Sequence, residues 1–274
     1  MTALVAEARK IPAFVRRDWL VLLSYRAAFV SDLLFIGVQA LMFGFVAKLV
    51  DPDVLPSYGG THAGYFEFVM IGVLVTSVSG LLLQRVSTAI RQEQMIGTLE
   101  PLLTSPVSPT TVQAGSIAFD LLFVPIRMAG LLLAVSLTLG LEYHASGIAP
   151  SALVLVVFLP FVWGLGLVTA ATILTFRRGT GVLAVILAVL GLASGAFFPL
   201  TLLPDWLARV AEGNPVAIVM EAARRALIGG TGWDGIAGDL LVLVPVSCAA
   251  LFVGVSAFRA ALAREHRRGT LGLY

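Results

Sequence analysis

Charge is what this sequence has least of. Only 12% of its 274 residues are Asp, Glu, Lys or Arg, against about 25% in a soluble globular domain, while 58% are hydrophobic. Too few polar side chains remain to cover a water-facing surface, which excludes soluble domains, a disordered chain and a coiled coil. A single cysteine, Cys248, excludes a disulfide-stapled secreted domain. The three histidines, His62, His144 and His266, all fall in loops or the tail. A serine-type intramembrane hydrolase needs a histidine at membrane depth, and no Cys/His cluster offers a metal site. An aspartyl type needs Gly-x-Gly-Asp, a pattern that Ile236-Ala237-Gly238-Asp239 does not meet. Lysine is nearly missing too. Lys10 and Lys48 follow Arg9 and Ala47, so neither completes the Gly-Lys-Ser/Thr end of a phosphate-cradling loop. The chain is expected to hydrolyse no ATP and to hold no cofactor itself. The 16 acidic residues nearly balance the 18 basic ones, so nucleic acid is not an expected partner.

What is present is long apolar runs. Crossing a roughly 30 Å hydrocarbon core takes about 20 mostly apolar residues. Six segments qualify: Ala27–Val50, Tyr65–Gln84, about Val112–Leu139, Ser151–Phe176, Gly181–Leu200 and about Asp239–Phe258. The expected fold is thus an all-α integral membrane protein, one permease-like unit over 1–274. Before the first span, Ala13–Arg26 mixes Phe14, Trp19, Leu22 and Tyr25 with Arg16 and Arg17, as an amphipathic helix along the cytoplasmic leaflet would. An early extension of the first span is the other reading. Glu7, Arg9, Lys10 and Pro12 interrupt residues 1–26, so no cleavable signal peptide is expected. Thirteen of the 18 basic residues fall in the N-terminal stretch, the second-to-third and fourth-to-fifth connections, and the tail 259–274. The positive-inside rule then puts both termini in the cytoplasm, in a multi-pass protein of the plasma membrane.

Two connections carry most of the remaining polarity. In the cytoplasmic segment 85–108, Gly97 breaks the chain, Thr98 suits an N-cap and Glu100 suits the first helical turn. Leu102 and Leu103 give this short helix an apolar face before Pro106 ends it. It has the form of a docking helix; an ordinary well-capped loop is the plainer reading. The external segment 197–234 is too apolar for a solvated loop and too broken by Pro199, Pro204, Gly213 and Pro215 for a span. Two short re-entrant or interfacial helices fit, Asp205 to about Ala211 and Pro215 to about Ile228. Asn214 caps the second and Gly229–Gly230 stops it. Glu221 lies three and four residues before Arg224 and Arg225, so local ion pairing is their default role and gating the sharper one.

The run GTLEPLLTSPVSP within 91–109, and SGAFFPLTLLPDWL followed by Asn214-Pro215-Val216 and EAARRAL, resemble the two signature segments of type-two ATP-binding cassette (ABC) exporter permeases. The resemblance covers essentially the whole chain, with an amphipathic N-terminal helix, six spans and both motifs in order. It implies a homo- or heterodimer of permeases, each bound to a separate nucleotide-binding ATPase subunit that holds ATP and Mg. It implies export of drugs, lipids or glycans from the cytoplasm along a path lined by the first, second and fifth spans. On that likeness Arg91, Glu93, Gly97, Thr98, Leu99, Glu100, Leu102 and Leu103 couple to the ATPase, supplemented by Arg16, Arg17 and Asp18. Phe197, Phe198, Pro199, Asn214, Pro215, Glu221 and Arg224 become external gate candidates.

Ionisable residues inside spans are functional candidates. Asp32 and Glu67 sit near span ends and can reach the interface. Asp120 and Arg127 share one face of the third span, either as a structural ion network or in the transport path. Trp19, Tyr25, Tyr65, Trp206, Trp233 and Tyr274 read as interface anchors, alongside bulk membrane lipid. Gly191 and Gly195 form a small-xxx-small pair that suits helix packing in the fifth span. Composition alone also fits an ion-coupled secondary transporter or channel, which predicts inverted repeats and interrupted helices that the sequence does not clearly show.

Overall fold

Two helices overrun their C-terminal apolar limits where the sequence continues without glycine or proline. The computed structural model describes residues 10–24, 26–51, 55–58, 61–62, 64–96, 115, 118–119, 123, 129–130, 132–176, 181, 184–185, 188–189, 191 and 194–268. In chain order the main elements are α1 (Ile11–Ser24), α2 (Arg26–Ala47), a hairpin of β1 (Ser57–Tyr58) and β2 (Thr61–His62), and α3 (Tyr65–Ile96). Then follow α4 (Ile148–Phe176), α5 (Asp205–Glu212), α6 (Pro215–Leu227) and α7 (Ala237–Arg268). Helix also occupies 132–139, within the expected third span.

Among the described residues, three helical stretches are long and apolar enough to cross a membrane: Tyr65–Ser87, Ala145–Thr175 and Ala237–Arg264. They correspond to the expected second, fourth and sixth spans. All three helices are longer than those spans, α4 by Ile148–Pro150 at its start. α3 runs on from Gln84 to Ile96 because residues 85–96 hold neither glycine nor proline. α7 passes Phe258 to end at Arg268 through an Ala- and Arg-rich stretch of good helix formers. The expected fifth span, by contrast, stops short of Leu200. Ser194 and Gly195 form a turn, with Gly195 at φ +68°, a conformation open chiefly to glycine. Gly191 and Gly195 are therefore not a helix-packing pair: a Cβ on Gly191 would meet nothing within 4 Å. Close packing falls elsewhere. Gly164 of α4 lies against the Ala250 carbonyl of α7, and Gly254 of α7 lies against the Gly164 carbonyl. Neither contact leaves room for a side chain, as small-residue helix seams in membranes require.

The largest apolar cluster joins α3 (Leu82, Leu83), α4 (Val154, Phe158), α6 (Val216, Met220) and α7 (Leu243). α1 starts and ends two residues earlier than expected and has Trp19 edge-on to Phe119 and Phe123, 6.2 and 5.7 Å between centroids. On α2, Leu34, Val38, Leu41, Met42 and Phe45 are exposed, as are Leu241, Phe252 and Val253 on α7. Such apolar surface suits lipid rather than water.

Candidate functional site

The stretch from Ser194 to Ile236 forms a cap over the Tyr65 end of α3. Its two short helices have the expected bounds within a residue. Asp205 stands in the first turn of α5 and Pro215 opens α6. The Asn214 side chain accepts a hydrogen bond from the Val216 amide at 3.0 Å, the N-cap its residue type favours. At the other end Gly230 takes φ +63°, and the Ile228 and Thr231 amides donate to the Arg224 and Arg225 carbonyls. α6 is then fastened to the start of α4: the His144 amide donates to the Leu227 carbonyl at 2.7 Å, and Gly147 packs on the Ala226 carbonyl.

A backbone broken inside an apolar protein leaves polar groups that something must satisfy. In this cap the carbonyls of three successive residues are taken by side chains. Arg224 Nη2 donates to the Gly195 and Ala196 carbonyls at 2.9 and 3.1 Å. Tyr65 Oη, from α3, donates to the Phe197 carbonyl at 3.0 Å. The Ala196 amide donates to Ser194 Oγ at 3.2 Å. Arg224 reaches α3 as well, with Nε donating to the Phe68 carbonyl at 3.1 Å and Cζ lying 3.5 Å from the Phe68 ring centroid. One guanidinium thus joins α6, the 195–196 turn and α3, a task for a planar group with several fixed donors. Gly72 makes room for this arrangement, since a Cβ there would strike the Ala196 carbonyl.

Arg224 is only 3% exposed. Burial pushes its guanidinium down to about 10, with Tyr58 and Glu221 pulling the other way, so it stays a cation at neutral pH. The nearby acid is Glu221, which accepts a hydrogen bond from the Tyr58 hydroxyl at 3.0 Å. Burial first, and then the Glu221 carboxylate, hold the Tyr58 phenol far above the ordinary tyrosine range. The expected local ion pairing within α6 is not what forms. Glu221 turns to the hairpin and Arg224 to backbone carbonyls. Arg225 forms a short ion pair with Asp239 at the head of α7.

The gate candidates therefore gather in one place, while the other predicted residues lie elsewhere. Phe197 stacks on Phe43 of α2 at 5.5 Å; Phe198 is half-buried and Pro199 is buried ahead of the 3-10 turn Leu200–Leu202. Arg91 and Glu93 occupy the far end of α3. Gly97, Thr98, Leu99, Glu100, Leu102 and Leu103 lie outside the described residues, as do Asp120 and Arg127. Arg16, Arg17 and Asp18 are on α1, where Arg17 Nε pairs with Asp18 Oδ1 at 2.8 Å and the guanidinium lies 5.3 Å from the Phe14 ring centroid. Tyr58 and Phe68 were not singled out from sequence, and Tyr65 was read only as an anchor. For Tyr58 the signal was the Gly59-Gly60 pair in the sequence, a dipeptide that favours a hairpin; Tyr58 pairs with Thr61 between β1 and β2.

Long apolar helices and close-packed glycine seams define the class as a helical membrane protein. The family model for the ABC-2 type transporter matches residues 9–228, and the chain belongs to that family. The match ends at Ile228, the C-cap of α6. Among curated proteins none matches the chain. Domains of this family are membrane components of ABC transporters, not catalytic by themselves, and the family implies an ABC ATPase as partner.

Proposed function

We propose that this chain is the membrane subunit of an ATP-driven exporter. Two copies, or one copy and a related permease, enclose a path that carries an amphiphilic drug, lipid or glycan out of the cytoplasm. Each copy spans the plasma membrane six times with both termini inside, and ATP and Mg are bound by a separate nucleotide-binding subunit. The short helix Thr98–Thr104 seats in that subunit, with Glu100, Leu102 and Leu103 in contact and Arg91, Glu93, Gly97 and Leu99 around them. Arg16, Arg17 and Asp18 of α1 add to the contact. Asp120 and Arg127 form a charge network in the third span.

The observation that carries this reading is the family match across residues 9–228. The geometry of α3 supports it: one unbroken helix starts under the cap at Tyr65 and ends at Ile96, next to the segment assigned to coupling. The test is co-purification. The intact chain should retain an ABC ATPase, and Glu100→Ala with Leu103→Ala should lose it while the chain stays monodisperse. Retained assembly and transport in that variant would overturn the coupling assignment. Appreciable ATP turnover by the purified chain alone would overturn the reading as a permease subunit.

A further inference from the structure

A cavity of about 210 Å³ lies inside the single chain, between α3, α4, Gly191, Phe197 and the first turn of α6. The stacked rings of Phe158 and Phe161 line one side, 5.5 Å between centroids. Leu83, Val162 and Leu165 line it as well. Among the described lining residues the only polar side chains are Thr76 and Ser79, and both hydroxyls are committed to their own helix. Thr76 donates to the Gly72 carbonyl at 2.8 Å and Ser79 to the Val75 carbonyl at 2.8 Å. A buried water needs two to four polar partners, and an apolar cavity of roughly 150 Å³ stays dry yet admits benzene or xenon. This space is larger and no wetter in its chemistry.

We propose that the cavity is a binding site for a hydrocarbon chain. Its described walls supply dispersion contacts and no free donor, so an alkyl segment gains packing and leaves none of their polar groups unpaired. The described lining comes from one copy of the chain, and its α3, Gly191 and Phe197 walls belong to the second and fifth spans that the export reading gives to the path. The inference rests on that lining and not on the export reading. Two occupants share the chemistry: the acyl chain of a bilayer lipid and the alkyl part of a free amphiphile. Its position gives it consequence, since Phe197 and Val216 are both cavity wall and cap.

The full chain would be reconstituted in phosphatidylcholine vesicles whose lipid carries a diazirine at one acyl terminus. Cross-links are then mapped by mass spectrometry after illumination. A parallel sample uses unlabelled lipid and a free alkyl-diazirine alcohol. Labels are expected on inward residues such as Ser79, Phe161 and Leu165, besides exposed Phe252. Val162→Phe, which fills the space, should cut the inward labels at least tenfold and leave Phe252 labelled. Ser79→Leu should do the same through a different wall, in whichever variant elutes as a monodisperse peak. Labelling from the lipid identifies a bilayer chain as occupant; labelling from the alcohol alone identifies a free amphiphile. Phe252 labelled with no inward label in either sample would overturn the proposal. Inward labelling that neither filling variant reduces would overturn it too.

Discussion

Replacing Arg224 by methionine removes the one group that joins α3, the 195–196 turn and α6. The side chain keeps much of its length and loses its charge. Two buried carbonyls, those of Gly195 and Ala196, then lose the hydrogen bonds the guanidinium gave them. Each buried group left unpaired costs about 1–3 kcal/mol. The contact with the Phe68 ring adds about 1–2 kcal/mol where desolvated. Against this, the variant no longer holds a guanidinium out of water, the same burial that lowers its pKa. A net loss of about 3 kcal/mol follows, the lower edge of what breaking a buried charged arrangement costs. For a chain of this size that is a fall in Tm of roughly 6–12 °C. The assay is thermal unfolding of the purified full chain in nanodiscs at one fixed heating rate, because membrane proteins seldom unfold reversibly. Arg225→Met is the control. It breaks only a partly exposed pair with Asp239, worth roughly 0–1 kcal/mol. Arg224→Lys should fall between wild type and Arg224→Met, since a single ammonium cannot reach all three carbonyls. Equal losses in the two methionine variants, or an Arg224→Met midpoint within 2 °C (about 1 kcal/mol) of wild type, would refute the assignment.

Tyr58→Phe removes a hydrogen bond to a carboxylate and should cost about 1.5 kcal/mol at neutral pH. The native phenol titrates above its unfolded value of 10, so its contribution is intact below pH 10 and lost as pH rises further. Because Tyr58 also helps hold Arg224 charged, the comparison is made in an Arg224→Met background, where the stability gap between Tyr58 and Tyr58→Phe should narrow above pH 10; a widening gap would contradict this. Gly164→Val should separate α4 from α7 and give an aggregated or unfolded chain by size-exclusion chromatography, because its Cβ would meet the Ala250 backbone. Gly191→Ala should elute as wild type, its Cβ pointing into open space. Asn214→Ala removes the cap of α6 and should lower stability by about 1 kcal/mol, read as a shift of roughly 2–4 °C.

Local chemistry was the legible part of this molecule. Asn214-Pro215 and Gly229-Gly230 set the bounds of α6 from sequence because capping is decided by a few adjacent residues. The broken character of the segment from 197 was equally plain from Pro199, Pro204, Gly213 and Pro215, whereas the turn at Ser194–Gly195 was read as helix. What sequence could not supply was direction around a helix axis and partners far along the chain. Glu221 relates to Arg224 and Arg225 by spacings that both permit pairing. Yet successive helical residues point roughly 100° apart, so one arginine enters the core and its neighbour reaches the rim. Tyr58 meets Glu221 across 163 positions, a pairing no local pattern encodes. The Gly191–Gly195 expectation failed for a related reason: the spacing suits a helix seam only if the helix persists, and a left-handed Gly195 ends it.

These contacts also decide which parts of the protein are able to move together. Parting the cap from α3 would break the Arg224–Phe68 and Tyr65–Phe197 hydrogen bonds and lift the guanidinium off the Phe68 ring. Carrying the cap along with α3 breaks none of them. A continuous helix held by its own backbone bonds does not shorten, so displacement of α3 at Ile96 is delivered ~48 Å away at Tyr65 as tilt or rotation. α2 also borders the cap. Of its described side chains only Ala40 is buried, and its hold on the cap includes the Phe43–Phe197 ring stack. Sliding one aromatic face over another costs less than breaking the Arg224–Phe68 and Tyr65–Phe197 hydrogen bonds together with the guanidinium–ring contact. Under the export reading, a displacement of α3 at its Ile96 end would carry the cap with it, and the Phe43–Phe197 stack is the contact that would slide.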